Sequence, residues 1–258
     1  MLDLIRERFH QGHRTIKFPQ GTVSLPDRFR GRPRLDPSRC SDGCRACADA
    51  CPTAAISVDP LAVDLAACLF CPACEEACPV GAIRYTADYR LATRTRADLV
   101  VSGAPHVLAS ALEAETQRLF GRSLRLRQVS AGGCNGCEGE LVALSNVVFD
   151  LSRFGIQFVA SPRHADGLVL TGPVTVNMRQ ALLDTYSAVP SPRIVIAVGA
   201  CALSGGPFAG ARESGDGVPP EIAVDLYVPG CPPHPLTILD GLLRLLGRLE
   251  DRGRRAGT

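Results

Sequence analysis

Twelve cysteines stand in a chain of 258 residues, and they carry most of its chemical potential. Eight of them lie between Cys40 and Cys78 in two similar runs. The first is Cys40, Cys44, Cys47 and Cys51-Pro52, followed by Ala55-Ile56. The second is Cys68, Cys71, Cys74 and Cys78-Pro79, followed by Ala82-Ile83. The other four, Cys134, Cys137, Cys201 and Cys231, are spread over a hundred residues. Thiols in such numbers serve disulfides, zinc or iron–sulfur clusters. The chain is long enough to bury a core without crosslinks.

Spacing narrows the choice for the first eight. The second run reads C-x2-C-x2-C-x3-C-P, in which three cysteines of one run hold one cubane and the fourth holds the other. A tight loop wraps three thiolates around a cluster, and the proline that follows the fourth fixes φ and ends the ligand loop. By that rule Cys40, Cys44, Cys47 and Cys78 hold one [4Fe-4S] cluster, and Cys68, Cys71, Cys74 and Cys51 hold another. Cys40 and Cys44 are separated by three residues instead of two. Asp42-Gly43 suits the looser turn this demands. A pair of zinc sites is the plainer alternative, but the doubled run with both prolines and both Ala-Ile anchors favours clusters.

The remaining four cysteines take their meaning from the elements around them. Residues 124–130 alternate as a strand, and 138–154 have helical periodicity through Leu141, Leu144, Val148 and Leu151. Residues 156–160, 167–171, 193–199 and 224–228 read as strands, and 177–189 and 235–249 as helices. Strands alternating with helices predict an α/β fold with a mostly parallel sheet. Each of Cys134, Cys137, Cys201 and Cys231 then falls just past the carboxyl end of a strand, where open α/β sheets bind ligands. Nearby glycines let backbone N–H groups approach. Four thiols meeting there can hold one [4Fe-4S] cluster, and structural zinc is the competing reading.

The first residues carry no apolar signal core, which predicts an intracellular chain in which disulfides are uncommon. No stretch reads as a transmembrane helix. Lysine and arginine number 28 against 26 acidic residues, a formal charge of +2, which gives no electrostatic case for nucleic acid. Residues 1–39 are more basic, with nine basic and four acidic side chains. Leu2, Leu4, Ile5 and Phe9 would form an apolar helix face that fits either an anionic membrane surface or a clasp on a neighbouring subunit.

Gly133-Cys134-Asn-Gly-Cys137-Glu138, Ser161-Pro-Arg-His-Ala-Asp166, Leu170-Thr-Gly172, Val198-Gly-Ala-Cys201-Ala202 and Tyr227-Val-Pro-Gly-Cys-Pro-Pro233 resemble the small subunit of group 4 membrane-bound [NiFe] hydrogenases, formate hydrogenlyase above all. The related family is the B-type subunit of NADH-quinone oxidoreductase, complex I. Phe29-Arg-Gly-Arg-Pro33 and residues 70–79 are similar to the 2[4Fe-4S] ferredoxin-like subunit of the same assemblies. The chain therefore looks like a fusion of the two. The resemblance implies a flavodoxin-like domain, with a proximal cluster on Cys134, Cys137, Cys201 and Cys231, preceded by a small α+β dicluster ferredoxin domain. Expected boundaries are an arm over 1–35, the ferredoxin over 36–98, a linker of helical character over 99–120, the hydrogenase small-subunit-like domain over 121–250 and a basic tail over 251–258.

That resemblance implies an electron-transfer subunit with three [4Fe-4S] clusters and no nickel site of its own. The implied partners are a [NiFe] large subunit or its complex I-like homologue, an electron-donor module such as formate dehydrogenase or ferredoxin, and membrane-arm subunits. The implied location is cytoplasmic, on the inner face of the cell membrane. Cys134 and Cys137 stand two residues apart, the hydrogenase pattern, where complex I has adjacent cysteines. Glu138 is expected as a proton relay with a raised pKa; as an acid in the first turn of a helix it also has a purely structural reading. Arg163 and His164 are candidates for hydrogen bonds near the cluster. A sensor or scaffold without turnover is the reading from another class, and it predicts no large-subunit partner.

Overall fold

The computed structural model describes residues 2–41 and 43–249; Asp42 of the first cysteine loop and the expected tail over 251–258 lie outside them. The chain begins with α1 (Leu2–Gln11), none of whose residues is buried. An extended arm follows and lies across the far half of the sequence. Ile16 N–H donates to the Val148 carbonyl at 3.0 Å, and Arg153 donates to the carbonyls of Ile16 and Phe18. Phe18 is buried among the side chains of the second half.

The cysteine repeat then folds into β1 (Pro33–Leu35), α2 (Ala46–Asp49), β2 (Ile56–Val58), β3 (Leu61–Asp64), α3 (Ala73–Ala77), β4 (Ile83–Tyr85) and β5 (Val100–Val101). β1 pairs antiparallel with β4, and β3 pairs antiparallel with both β2 and β5. Two short sheets with a short helix in each half are the α+β unit the repeat predicts. Its strands reach past the expected limits. β1 lies inside the expected arm because its register with β4 buries Leu35 opposite Ile83. β5 lies inside the expected linker because Val101 packs on Val63. The helical part of that linker is α4 (Ala114–Phe120).

The second half contains β6 (Leu124–Ser130), α5 (Gly136–Ala143), β7 (Ile156–Phe158), β8 (Gly167–Thr171), α6 (Val176–Ala188), β9 (Ile194–Val198), α7 (Ala200–Ser204), β10 (Leu226–Val228) and α8 (Pro235–Leu245). The sheet runs β7-β6-β8-β9-β10 with every pair parallel. Counted within this half the order is 2-1-3-4-5, the flavodoxin-like arrangement. β8 and β9 are buried at every residue, as strands covered on both faces must be. The register aligns Ser130, Thr171, Val198 and Val228 in one row at the carboxyl edge.

The helix expected over 138–154 ends at Ala143. Asn146 Oδ1 accepts from the N–H groups of Val148 and Phe149, a side-chain turn that competes with helix. Asp150 then takes φ 45°, and a single 3₁₀ turn carries Leu151 back to the core. Leu141, Leu144 and Leu151 are all buried, so the apolar spacing was real although the helix was not continuous.

The two halves share structure. Thr93 and Tyr227 exchange backbone hydrogen bonds at 3.1 and 2.9 Å, covering the free edge of β10. Ser204 Oγ donates to the Ala66 carbonyl at 2.9 Å. Leu61, Leu65 and Ile83 belong to one apolar cluster with Ala197, Ala202 and Leu203. A Cβ on Gly241 would stand 2.6 Å from that of Ala92, so α8 sits nearly flush on the chain leaving the ferredoxin half.

Candidate iron–sulfur centres

The twelve cysteines gather in three sets of four. Cys40, Cys44, Cys47 and Cys78 line one cavity with Val80, Ala82 and Ile83. Burial pushes the Cys40 thiol up, and the charges of Cys78 and Cys44 add to it. Cys47 is raised by burial and by Cys78 and Cys40. In the second set burial carries the Cys68 thiol to about 11 against the pull of hydrogen bonds from Tyr85 and Phe70, with Cys74 and Cys51 raising it further. Cys74 is raised by burial and by Cys71 and Cys51, while Tyr85 opposes. The repeat thus brings cysteines of the two runs near one another.

The third set stands beyond the row of strand ends. Cys134 lies in the loop after β6, and Cys137 in the first turn of α5. Cys201 is in α7, a short helix where a loop was expected, and Cys231 follows β10. Burial, the Glu138 charge and then Cys201, Cys231 and Cys134 push the Cys137 thiol to about 12. Cys201 rises to about 11 through burial, Cys231 and Cys134. Gly199 makes the approach feasible: at φ 89° a Cβ there would stand 2.4 Å from Cys137 Sγ. Four thiols that repel one another when ionised suit a cationic iron core, whose binding releases their protons. Among the described residues no three His, Cys, Asp or Glu side chains are grouped tightly enough to hold a single metal ion.

The second and third sets adjoin. Burial raises the Cys231 thiol first, then Cys134, then Cys71 from the ferredoxin repeat. Cys134 and Cys231 are exposed residues, whereas Cys201 is buried.

Glu138 is 8% exposed, and its Oε1 accepts hydrogen bonds from Ser130 Oγ and Thr171 Oγ1, both at 2.6 Å. Burial acts to raise its pKa, but these hydroxyls and the backbone win and hold it below the ordinary glutamate range. The direction is opposite to the raised pKa expected of a buried carboxyl. Ser130 was not singled out in the sequence, and Thr171 stood only within the Leu170-Thr-Gly172 motif, with no partner assigned; both fall at strand ends.

Arg163 and His164 do not reach the third set. They are exposed in a 3₁₀ turn that precedes β8, at the opposite edge of the sheet. A side chain the spacing did not reveal does reach sulfur: Tyr85 Oη is 3.3 Å from Cys68 Sγ and 3.7 Å from Cys74 Sγ. Burial and the two thiols keep its phenolic proton bound far above the usual tyrosine range.

A parallel flavodoxin-like sheet with a cysteine quartet at its carboxyl edge, welded to an interleaved cysteine repeat, defines an iron–sulfur electron-transfer protein. Residues 134–245 match the NADH ubiquinone oxidoreductase 20 Kd subunit family, and residues 39–82 match the 4Fe-4S dicluster domain. The chain belongs to that 20 Kd subunit family, with the dicluster domain at its amino-terminal side.

Its relatives include subunits of hydrogenase and quinone-reducing complexes. It is 43% identical over 143 residues to formate hydrogenlyase subunit 7 of Escherichia coli, covering 55% of this chain and 56% of that protein, little more than half its length. It is 41% identical to the probable membrane-bound hydrogenase subunit mbhJ of Pyrococcus furiosus, over 53% of this chain and 81% of the relative. It is 38% identical to the B-type subunit of the NADH-quinone oxidoreductase of Heliobacterium modesticaldum, over 57% and 82% respectively. The chain is thus an oxidoreductase-complex subunit of the hydrogenase and complex I-like type.

Proposed function

We propose that this chain is the iron–sulfur relay of a membrane-associated [NiFe] hydrogenase complex of the formate hydrogenlyase kind, with three [4Fe-4S] clusters on its three cysteine sets. The observation that carries the reading is the nearness of two sets: Leu69 and Phe70 of the second cysteine loop line one cleft with Gly230, Cys231 and Pro232 at the sheet edge. When bound, the clusters would supply one-electron transfer at potentials set by charge, hydrogen bonds to sulfur and exposure. The protein's part is to hold the thiolates in line and keep the middle set away from water. Cys47, Cys68, Cys74 and Cys201 are buried, which insulates the path, while Cys134 and Cys231 open it to the surface. A large subunit carrying a [NiFe] site would dock there, over exposed Val142 on the same helix as Cys137. Electrons would enter from a donor module, formate dehydrogenase or ferredoxin, at the repeat.

The two-residue gap between Cys134 and Cys137 favours a hydrogenase partner over a complex I-like one. Among the described residues no helix is long and apolar enough to cross a membrane. α1 exposes Leu2, Leu4 and Phe9 beside Arg6 and Arg8, which supports a peripheral position on the inner face of the cell membrane against membrane-arm subunits.

Glu138 is the proposed proton relay. It neighbours Cys137, and its carboxylate is linked to two hydroxyls that can pass a proton. Glu138→Gln is expected to lower hydrogen production more than twofold with iron content unchanged; activity within twofold would remove Glu138 from the pathway. The reading as a whole is tested by purifying the native complex. A partner containing nickel and about twelve irons per copy of this chain are expected. A partner without nickel would move the assignment to a complex I-like oxidoreductase, and stoichiometric zinc in this chain would sink it.

A further inference from the structure

The two cysteine runs are related by pseudo-symmetry, so the residues after them can be compared position by position. Ile56 corresponds to Ile83, Ser57 to Arg84 and Val58 to Tyr85. β2 and β4 bury their residues in the same alternation. The backbone near the fourth cysteine is equivalent as well. Ala55 N–H reaches Cys51 Sγ at 3.2 Å, and Ala82 N–H reaches Cys78 Sγ at 3.2 Å.

The symmetry breaks at one side chain. Tyr85 Oη lies 3.3 Å from Cys68 Sγ and 3.7 Å from Cys74 Sγ, whereas Val58 has no proton to donate. Phe70 packs against the Tyr85 ring at 6.2 Å and donates its own N–H to Cys68 Sγ. Thr53 Oγ1 stands 3.8 Å from Cys51 Sγ, but it donates to the Ala67 carbonyl at 2.8 Å, so its proton is already committed.

We propose that Tyr85 raises the reduction potential of the centre held by Cys51, Cys68, Cys71 and Cys74 by donating its phenolic proton to Cys68 Sγ, making this the electron-holding half of the repeat. The inference rests on the reading that the repeat carries iron–sulfur clusters. An iron-bound thiolate has no proton, so the phenol is the donor. Reduction adds one electron, delivered from the donor module through the other half of the repeat. No bond to Tyr85 forms or breaks, and its proton stays on the phenol. The O–H···S bond tightens as negative charge accumulates on sulfur, which favours the reduced form. The location gives the effect a purpose: Leu69 and Phe70 in the loop of this set line one cleft with Cys231, so the electron is held beside its exit.

The test is a redox titration of the purified full chain, monitored by electron paramagnetic resonance, for wild type and Tyr85→Phe. One centre should lose about tenfold in its reduced-to-oxidised ratio at fixed potential, a fall of about 59 mV for one electron. The other centres should stay within twofold. In D₂O the wild type should show one more exchangeable deuteron coupled to that reduced centre than Tyr85→Phe, which keeps the Phe70 amide deuteron. Equal midpoints with full iron in both proteins would overturn the proposal. If the variant fails to bind iron, a wild-type deuteron coupling that persists when the amides carry no deuterium, and so belongs to a hydroxyl, decides, and its absence overturns the proposal. A wild type without clusters would instead show that the underlying reading is wrong.

Discussion

One close approach decides whether the third cysteine set can form. It is at Gly199, where any Cβ would enter the space of Cys137 Sγ and the backbone sits at φ 89°. Gly199→Ala is expected to empty that set alone, dropping iron from about twelve to about eight per chain while the repeat keeps its own. Iron and sulfide analysis of the purified variant checks this. Glu138, next to Cys137, is held by hydroxyls from two different strands. The cysteines themselves were legible because their spacing and their places after strands are local properties. Ser130, Thr171 and Tyr85 were not, because each finds its partner through tertiary approach; Thr171 is 33 residues from Glu138. A lone hydroxyl carries no spacing signal.

Elements add constraints that single residues do not. The strand pattern was readable from apolar runs, and the register that aligns the strand ends followed from it. The length of α5 was not readable, since Asn146 replaces helix with its own side-chain turn while the apolar spacing continues. At the start of α8, His234 acts as the cap. Its Nδ1 accepts the Leu236 N–H at 3.2 Å, and Phe29 and Phe149 stand edge-on to its ring at 5.5 and 6.0 Å. Burial lowers its pKa. The unfolded chain therefore takes up a proton near pH 6.5 that the folded chain refuses, and the stability His234 contributes above that pH is lost as pH falls below it. The expected slope is at most about 1.4 kcal/mol per pH unit. Denaturant unfolding at pH 7.5 and 5.5 measures it. His234→Asn keeps a capping acceptor without the titration, and should flatten that part of the dependence.

At the scale of the whole molecule, the join between the halves matters more than either half. The sequence showed two modules and a linker between them. It did not show that the chain leaving the ferredoxin half would cover the edge of β10, or that Leu61 and Leu65 would share a core with Ala197 and Leu203. Long-range pairings of that kind follow from which surfaces remain apolar after each half folds. A shared core predicts one cooperative transition. Cluster absorbance and far-ultraviolet circular dichroism should be lost at the same temperature, and separate midpoints would show that the halves melt independently.

The extended arm carries this coupling into the order of synthesis. Ile16 and Phe18 are made before either cysteine run, yet their partners Val148 and Arg153 are made more than a hundred residues later. The arm cannot seat until residues 148–153 have emerged. Both cysteine runs are complete long before then. Phe29, further along the arm, lines a cleft with Leu69, Phe70 and Cys231, so the second run is made well before the far wall of that cleft, and delivery of iron and sulfide has that interval with the cleft open.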